Sequence, residues 1–89
     1  MVLREVEIRN KLGLHARAAA RFVHLASSFR SQIKIEGSNQ TVDGKSILGL
    51  LLLAATRGTT LRIVADGQDE QEAVRALCTL VLDRFGEGV

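Results

Sequence analysis

The chain has no proline, tryptophan or tyrosine, one cysteine and three phenylalanines in 89 residues. Each scarcity excludes something. With Cys78 alone, no internal disulfide can form, so the core must hold the fold unaided and a reducing compartment is the natural setting. So few aromatic rings leave no platform on which single-stranded nucleic acid could stack. Twelve Lys and Arg against ten Asp and Glu give a net charge of +2, without a basic tail, which gives no ground for nucleic-acid binding. No apolar run approaches the roughly 18 residues of a membrane-spanning helix. The start, Met-Val-Leu-Arg-Glu, has no basic stretch followed by an apolar one, so no secretory signal is visible. The expectation is a cytoplasmic protein with no direct membrane insertion.

What is present is globular. The chain is 46% hydrophobic and 25% charged, long enough for one core, so residues 1–89 are expected to form a single domain. Glycine supplies the punctuation, at Gly13, Gly37, Gly44, Gly58, Gly67 and Gly86. Val2, Val6 and Ile8 alternate with Leu3, Glu5 and Glu7, the period of a half-buried strand. Ile33 and Ile35 repeat the pattern, and a turn at Gly37-Ser38-Asn39 leads to a short strand through Thr41 and Val42. Leu61, Ile63 and Ala65 make a fourth strand, closed by Asp66-Gly67.

Between the strands the period becomes helical. From Ala16 to about Ser28, Ala19, Phe22, Val23 and Ala26 share one face, with Arg17, Arg21, His24 and Ser28 opposite. Ser46 to about Thr56 is nearly all apolar, with Gly58 placed to end that helix in the left-handed conformation. Asp69 reads as the cap of a third helix, Glu72 completes a capping-box spacing, and Val74, Leu77, Val81 and Phe85 form the buried face with Cys78 beside it in the core. The order β-α-β-β-α-β-α predicts an α+β open-faced sandwich: a four-stranded antiparallel sheet covered on one face by three helices. A right-handed crossover from strand 1 to strand 2 leaves a gap that strand 4 can fill.

Gly13-Leu14-His15-Ala16-Arg17 stands where strand 1 has ended and helix 1 begins. Unpaired N–H groups and the helix dipole favour an anion there. An imidazole, with an ordinary pKa of about 6.5, offers a neutral nucleophilic nitrogen, and the Arg17 guanidinium can pair with phosphate oxygens. No paired-ligand spacing for a metal occurs, and nothing in the sequence calls for a cofactor. His24 belongs to the solvated stripe of helix 1.

Two segments, Asn10-Lys11-Leu12-Gly13-Leu14-His15-Ala16-Arg17 and Lys45-Ser46-Ile47-Leu48-Gly49-Leu50, resemble the two signatures of HPr, the histidine-containing phosphocarrier of the phosphoenolpyruvate-dependent phosphotransferase system. The resemblance covers the whole chain. It implies that His15 accepts a phosphoryl group on Nδ1 from enzyme I and passes it to the A domains of enzyme II. Arg17 would steady the phosphate, with the amides of Ala16 and Arg17 behind it. Ala18 stands where the family has proline, which removes a little preorganisation and leaves the nucleophile untouched. Sugar-type and nitrogen-type paralogues are both compatible.

Ser46 directly precedes an apolar helical run and so reads as an N-cap. By resemblance it is also a regulatory phosphorylation site in bacteria with an HPr kinase/phosphorylase. If Leu50, Leu53 and Ala54 face the core, Ile47, Leu48 and Leu51 face outward, and with Ala20 they match the family's docking surface, ringed by Arg17, Lys45 and Arg21. Two readings from other classes stay open: a small acylphosphatase-like hydrolase, using an arginine and an asparagine, and a pure binding module in which His15 is incidental.

Overall fold

In a computed structural model that describes residues 1–88, the chain runs β1 (Val2–Glu7), α1 (Ala16–Ala26), β2 (Gln32–Glu36), β3 (Thr41–Asp43), α2 (Ile47–Leu53), β4 (Thr60–Asp66), α3 (Glu70–Leu82) and a 3-10 turn (Arg84–Gly86). The strands lie in the order β1-β4-β2-β3, every neighbouring pair antiparallel. β4 thus fills the gap left by the β1-α1-β2 crossover.

Alternation decides which face the helices cover. Val6, Ile33, Ile35, Leu61, Ile63 and Ala65 point to one side and are buried against Ala19 and Phe22 of α1, Leu50 of α2, and Val74, Leu77 and Val81 of α3. On the open face Arg62 lies opposite Glu5 on one side and Glu36 on the other, 3.5 Å from each carboxylate. That face is not wholly polar, because Val64 is buried one pleat along, between Leu3 and Lys34.

Several local expectations need correction. α2 stops at Leu53 instead of running to Thr56, and the left-handed residue that ends it is Ala54 (φ 49°), not Gly58. The turn is imposed from outside the helix: buried Ala55 gives its carbonyl to the Leu14 N–H at 2.9 Å, so the chain must leave the helix to reach the β1–α1 loop. Gly58 is left-handed (φ 91°) for another purpose, its N–H bonding the Ile8 carbonyl at 2.8 Å where β4 begins to pair with β1. At α3, Asp69 occupies the cap position, but its carboxylate accepts no hydrogen bond from the helix and Glu72 does not answer it. The carboxylate accepts instead from the Ser31 hydroxyl (2.5 Å) and from the Arg30 and Ser31 amides (both 2.9 Å), while Glu70 accepts from the Gly67 amide (3.1 Å). Finally, Phe85 is buried, but beyond the end of α3, in the 3-10 turn. Cys78 is in the core as expected, 4% exposed, and burial pushes its thiol pKa up. α1 ends at Ala26 rather than about Ser28, and Ala18 joins its buried face while Val23 is only half-buried.

Candidate functional site

The loop from β1 to α1 is held from three directions. Asn10, fully buried, donates through Nδ2 to the Gly13 carbonyl at 2.7 Å, and the Gly13 N–H returns to the Asn10 carbonyl at 3.2 Å. Gly13 is left-handed (φ 67°), and a Cβ there would stand 2.5 Å from the Ala55 carbonyl oxygen. Leu14, buried, is tied to the same carbonyl. His15 therefore leaves a fixed base.

His15 is the N-cap of α1, with extended backbone (φ −86°, ψ −179°) and a carbonyl that accepts from Ala19 N–H at 2.8 Å. Its ring caps the helix too, Nδ1 accepting from the Arg17 amide at 3.3 Å. The other ring nitrogen, Nε2, lies 2.5 Å from Oε2 of Glu87. An ionised carboxylate only accepts, so the proton of the neutral ring sits on Nε2 and Nδ1 keeps its lone pair. Because the Arg17 amide addresses that lone pair over a long, weak contact, a phosphoryl group arriving at Nδ1 would find the same amide ready for one of its oxygens. The His15 side chain is 24% exposed, open enough for a partner to reach.

Glu87 is itself held. Its Oε1 accepts from Asn10 Nδ2 at 2.9 Å, and its side chain is only 9% exposed. Desolvation alone would raise its pKa, but hydrogen bonds from Asn10 and His15, with the charges of His15 and Arg17 nearby, hold it below the ordinary glutamate value. These partners favour the ionised form of the carboxylate.

Of the expected residues, His15, the Arg17 amide and the Arg17 charge come together; the Ala16 amide lies at the same helix start. Arg21 and Lys45, read as a basic rim, direct N–H groups to backbone carbonyls: Arg21 to Phe85, Lys45 to Phe29 at 2.8 Å. Ser46 is the N-cap of α2, its Oγ accepting from the Gly49 amide at 3.0 Å. Ala20, Ile47, Leu48 and Leu51 are exposed, Leu48 the most at 69%, and α1 packs beside α2. Leu12 and Leu52 are exposed as well, while Ala54, expected inside, is exposed and Leu53 only half-buried.

Two site residues escape sequence reasoning. Asn10 could have been suspected from its place in the first signature segment. Glu87 gave no signal, since it lies between two glycines 72 residues from His15.

A family model described as "PTS HPr component phosphorylation site" matches residues 2–83. The phosphocarrier protein HPr of Cupriavidus necator is 51% identical over 88 residues, 99% of each chain, and the HPr-like protein Crh of Halalkalibacterium halodurans is 46% identical over 81 residues, 91% of this chain and 96% of that one. The crystal structure of HPr-C-His from Thermoanaerobacter tengcongensis superposes with a TM-score of 0.95 at 46% identity, covering all of both chains.

Proposed function

The chain belongs to the HPr family of phosphocarrier proteins of the phosphotransferase system, and on that premise we infer that His15 is the phosphoryl acceptor, charged on Nδ1 by enzyme I and discharged to the A domains of enzyme II. The observation that carries this reading is the ring itself: an accessible imidazole at a helix N-terminus whose Nε2–H donates to a carboxylate, leaving Nδ1 as the one nucleophilic nitrogen. Arg17 stands by to pair with the phosphate. The protein is a covalent intermediate in this scheme, acting in the cytoplasm, regenerated at each transfer and turning over no small substrate.

The docking surface is Ala20 with Ile47, Leu48 and Leu51, apolar side chains left exposed on two neighbouring helices. Ser46 is the regulatory residue, modified by an HPr kinase/phosphorylase where the cell has one. A phosphate there sits at the start of α2 and does not oppose the helix, while its charge of about −2 faces any partner on the patch.

Incubation with phosphoenolpyruvate and enzyme I, read by intact mass and site mapping, tests the reading. One acid-labile phosphate on His15 is expected. Release of inorganic phosphate with none retained would indicate a hydrolase, and full biological activity in His15→Ala would indicate a binding module.

A further inference from the structure

We propose that Glu87 is a positioning residue for phosphoryl transfer, the Asn10–Glu87–His15 chain of hydrogen bonds fixing the ring in the tautomer that leaves Nδ1 free. The proposal rests on His15 being the acceptor.

The chain beyond α3 is shaped to deliver this carboxylate. Arg84 (φ 56°) and Phe85 (φ 55°) are consecutive left-handed residues, neither of them glycine, a conformation that strains a backbone carrying a Cβ. Such backbone persists only where its surroundings over-determine it. Here Phe85 is fully buried, its carbonyl receives the Arg21 guanidinium, and the amides of Gly86 and Glu87 close onto the Asp83 and Arg84 carbonyls at 3.0 and 2.9 Å. The next residue is Glu87, with one carboxylate oxygen on Asn10 and the other on His15. Asn10 spans both sides of the arrangement, because the same Nδ2 that holds Glu87 also holds the Gly13 carbonyl two residues before the histidine. Ring and carboxylate are thereby aligned from one buried amide.

In the transfer, the Nδ1 lone pair attacks the phosphorus of a phosphorylated protein donor. The new N–P bond forms as the donor's bond to phosphorus breaks, and that electron pair remains on the donor atom. No proton moves: Nε2 keeps its hydrogen, and the ring, now substituted on both nitrogens, carries positive charge opposite the Glu87 carboxylate. When the phosphoryl group leaves for an acceptor, the pair returns to Nδ1. Glu87 touches neither phosphorus nor partner, and it acts through the ring.

The geometry predicts an inverted order for two substitutions. In Glu87→Gln the side-chain carbonyl takes the Asn10 hydrogen bond, so the amide NH2 faces Nε2. A donor there forces Nε2 to accept and moves the ring proton to Nδ1, against the Arg17 amide. Glu87→Ala leaves the ring to water and removes only the bias. The closer mimic should therefore be the slower protein, with transfer from phosphorylated enzyme I on the order of tenfold below Glu87→Ala and further below the native chain. A purely structural role predicts the opposite order. Nitrogen-15 NMR of the unphosphorylated protein above pH 8 should find the proton on Nε2 in the native chain and on Nδ1 in Glu87→Gln. This readout needs no phosphate, so it stands even if the native chain accepts none and the transfer reading itself falls. Glu87→Gln no slower than Glu87→Ala, or the same tautomer in Glu87→Gln as in the native ring, overturns the proposal.

Discussion

Arg21, on the exposed side of α1, donates its guanidinium to the carbonyl oxygen of Phe85, 64 residues further along the chain. That bond latches the segment carrying Glu87 onto the helix that carries His15. Arg21→Met keeps most of the apolar stem and removes the N–H groups. Loss of a charged donor to a part-buried carbonyl should cost about 1–2 kcal/mol in urea unfolding and speed exchange of the Gly86 amide proton. Stability and exchange both equal to the native chain would mean that the latch holds nothing.

Gly13 and Gly58 are both left-handed, but their surroundings differ. A Cβ at Gly13 meets the Ala55 carbonyl oxygen at 2.5 Å and the Thr56 Cα at 3.0 Å, whereas among the described residues nothing lies within 4 Å of one at Gly58. Gly58→Ala therefore bears conformational strain alone, about 1–2 kcal/mol. Gly13→Ala adds a backbone collision and should cost about 3 kcal/mol or more, with transfer at His15 falling as its base shifts. Equal melting temperatures for the two variants would contradict the close approach of the two loops.

Ser46 separates capping from regulation. Ser46→Ala leaves the Gly49 amide without its acceptor and should lower stability by about 1 kcal/mol while leaving phosphorylation by enzyme I nearly unchanged. Ser46→Asp keeps an acceptor at the cap and a negative charge at the helix start, so stability should stay within about 0.5 kcal/mol of native. That same charge beside Ile47 and Leu48 should raise the KM for enzyme I. A KM unchanged by aspartate would remove the docking argument for this face.

The strands, their order and the histidine at the helix start were legible because each follows from local pattern: alternation at Ile33 and Ile35, the four-three spacing of Arg17, Arg21 and His24, and a glycine before His15. The end of α2 was not, because Ala55 leaves the helix to reach Leu14, a contact between residues that no period connects. Spacing alone makes Asp69 a cap, yet the free amides of Arg30 and Ser31 compete for the same carboxylate and win. Glu87 was illegible for a stronger reason. Its position depends on left-handed Arg84 and Phe85, where sequence rules expect glycine, and on a latch from another helix. Position in the chain marks the histidine at the helix start; only tertiary structure shows what faces its second nitrogen.

Asp69 should govern acid stability at the α1–β2 junction. The Ser31 hydroxyl, first, and then the Arg30 amide hold its carboxyl down at about 2, against desolvation pulling the other way and with the Ser31 amide assisting. In the unfolded chain an aspartate titrates near its ordinary value of about 3.9. The folded value is the lower one, so the unfolded state binds the proton first as pH falls. The stabilisation is complete above the unfolded value and disappears as pH drops through the folded one. Glu70 and Glu87 are depressed as well, so the native chain retains some acid sensitivity without Asp69. Asp69→Asn should therefore lower the urea midpoint at pH 7 and flatten, without abolishing, the fall between roughly pH 4 and pH 2, the two curves converging at the acid end. Curves that stay parallel over that range would show that the carboxylate at Ser31 contributes no pH-dependent stability.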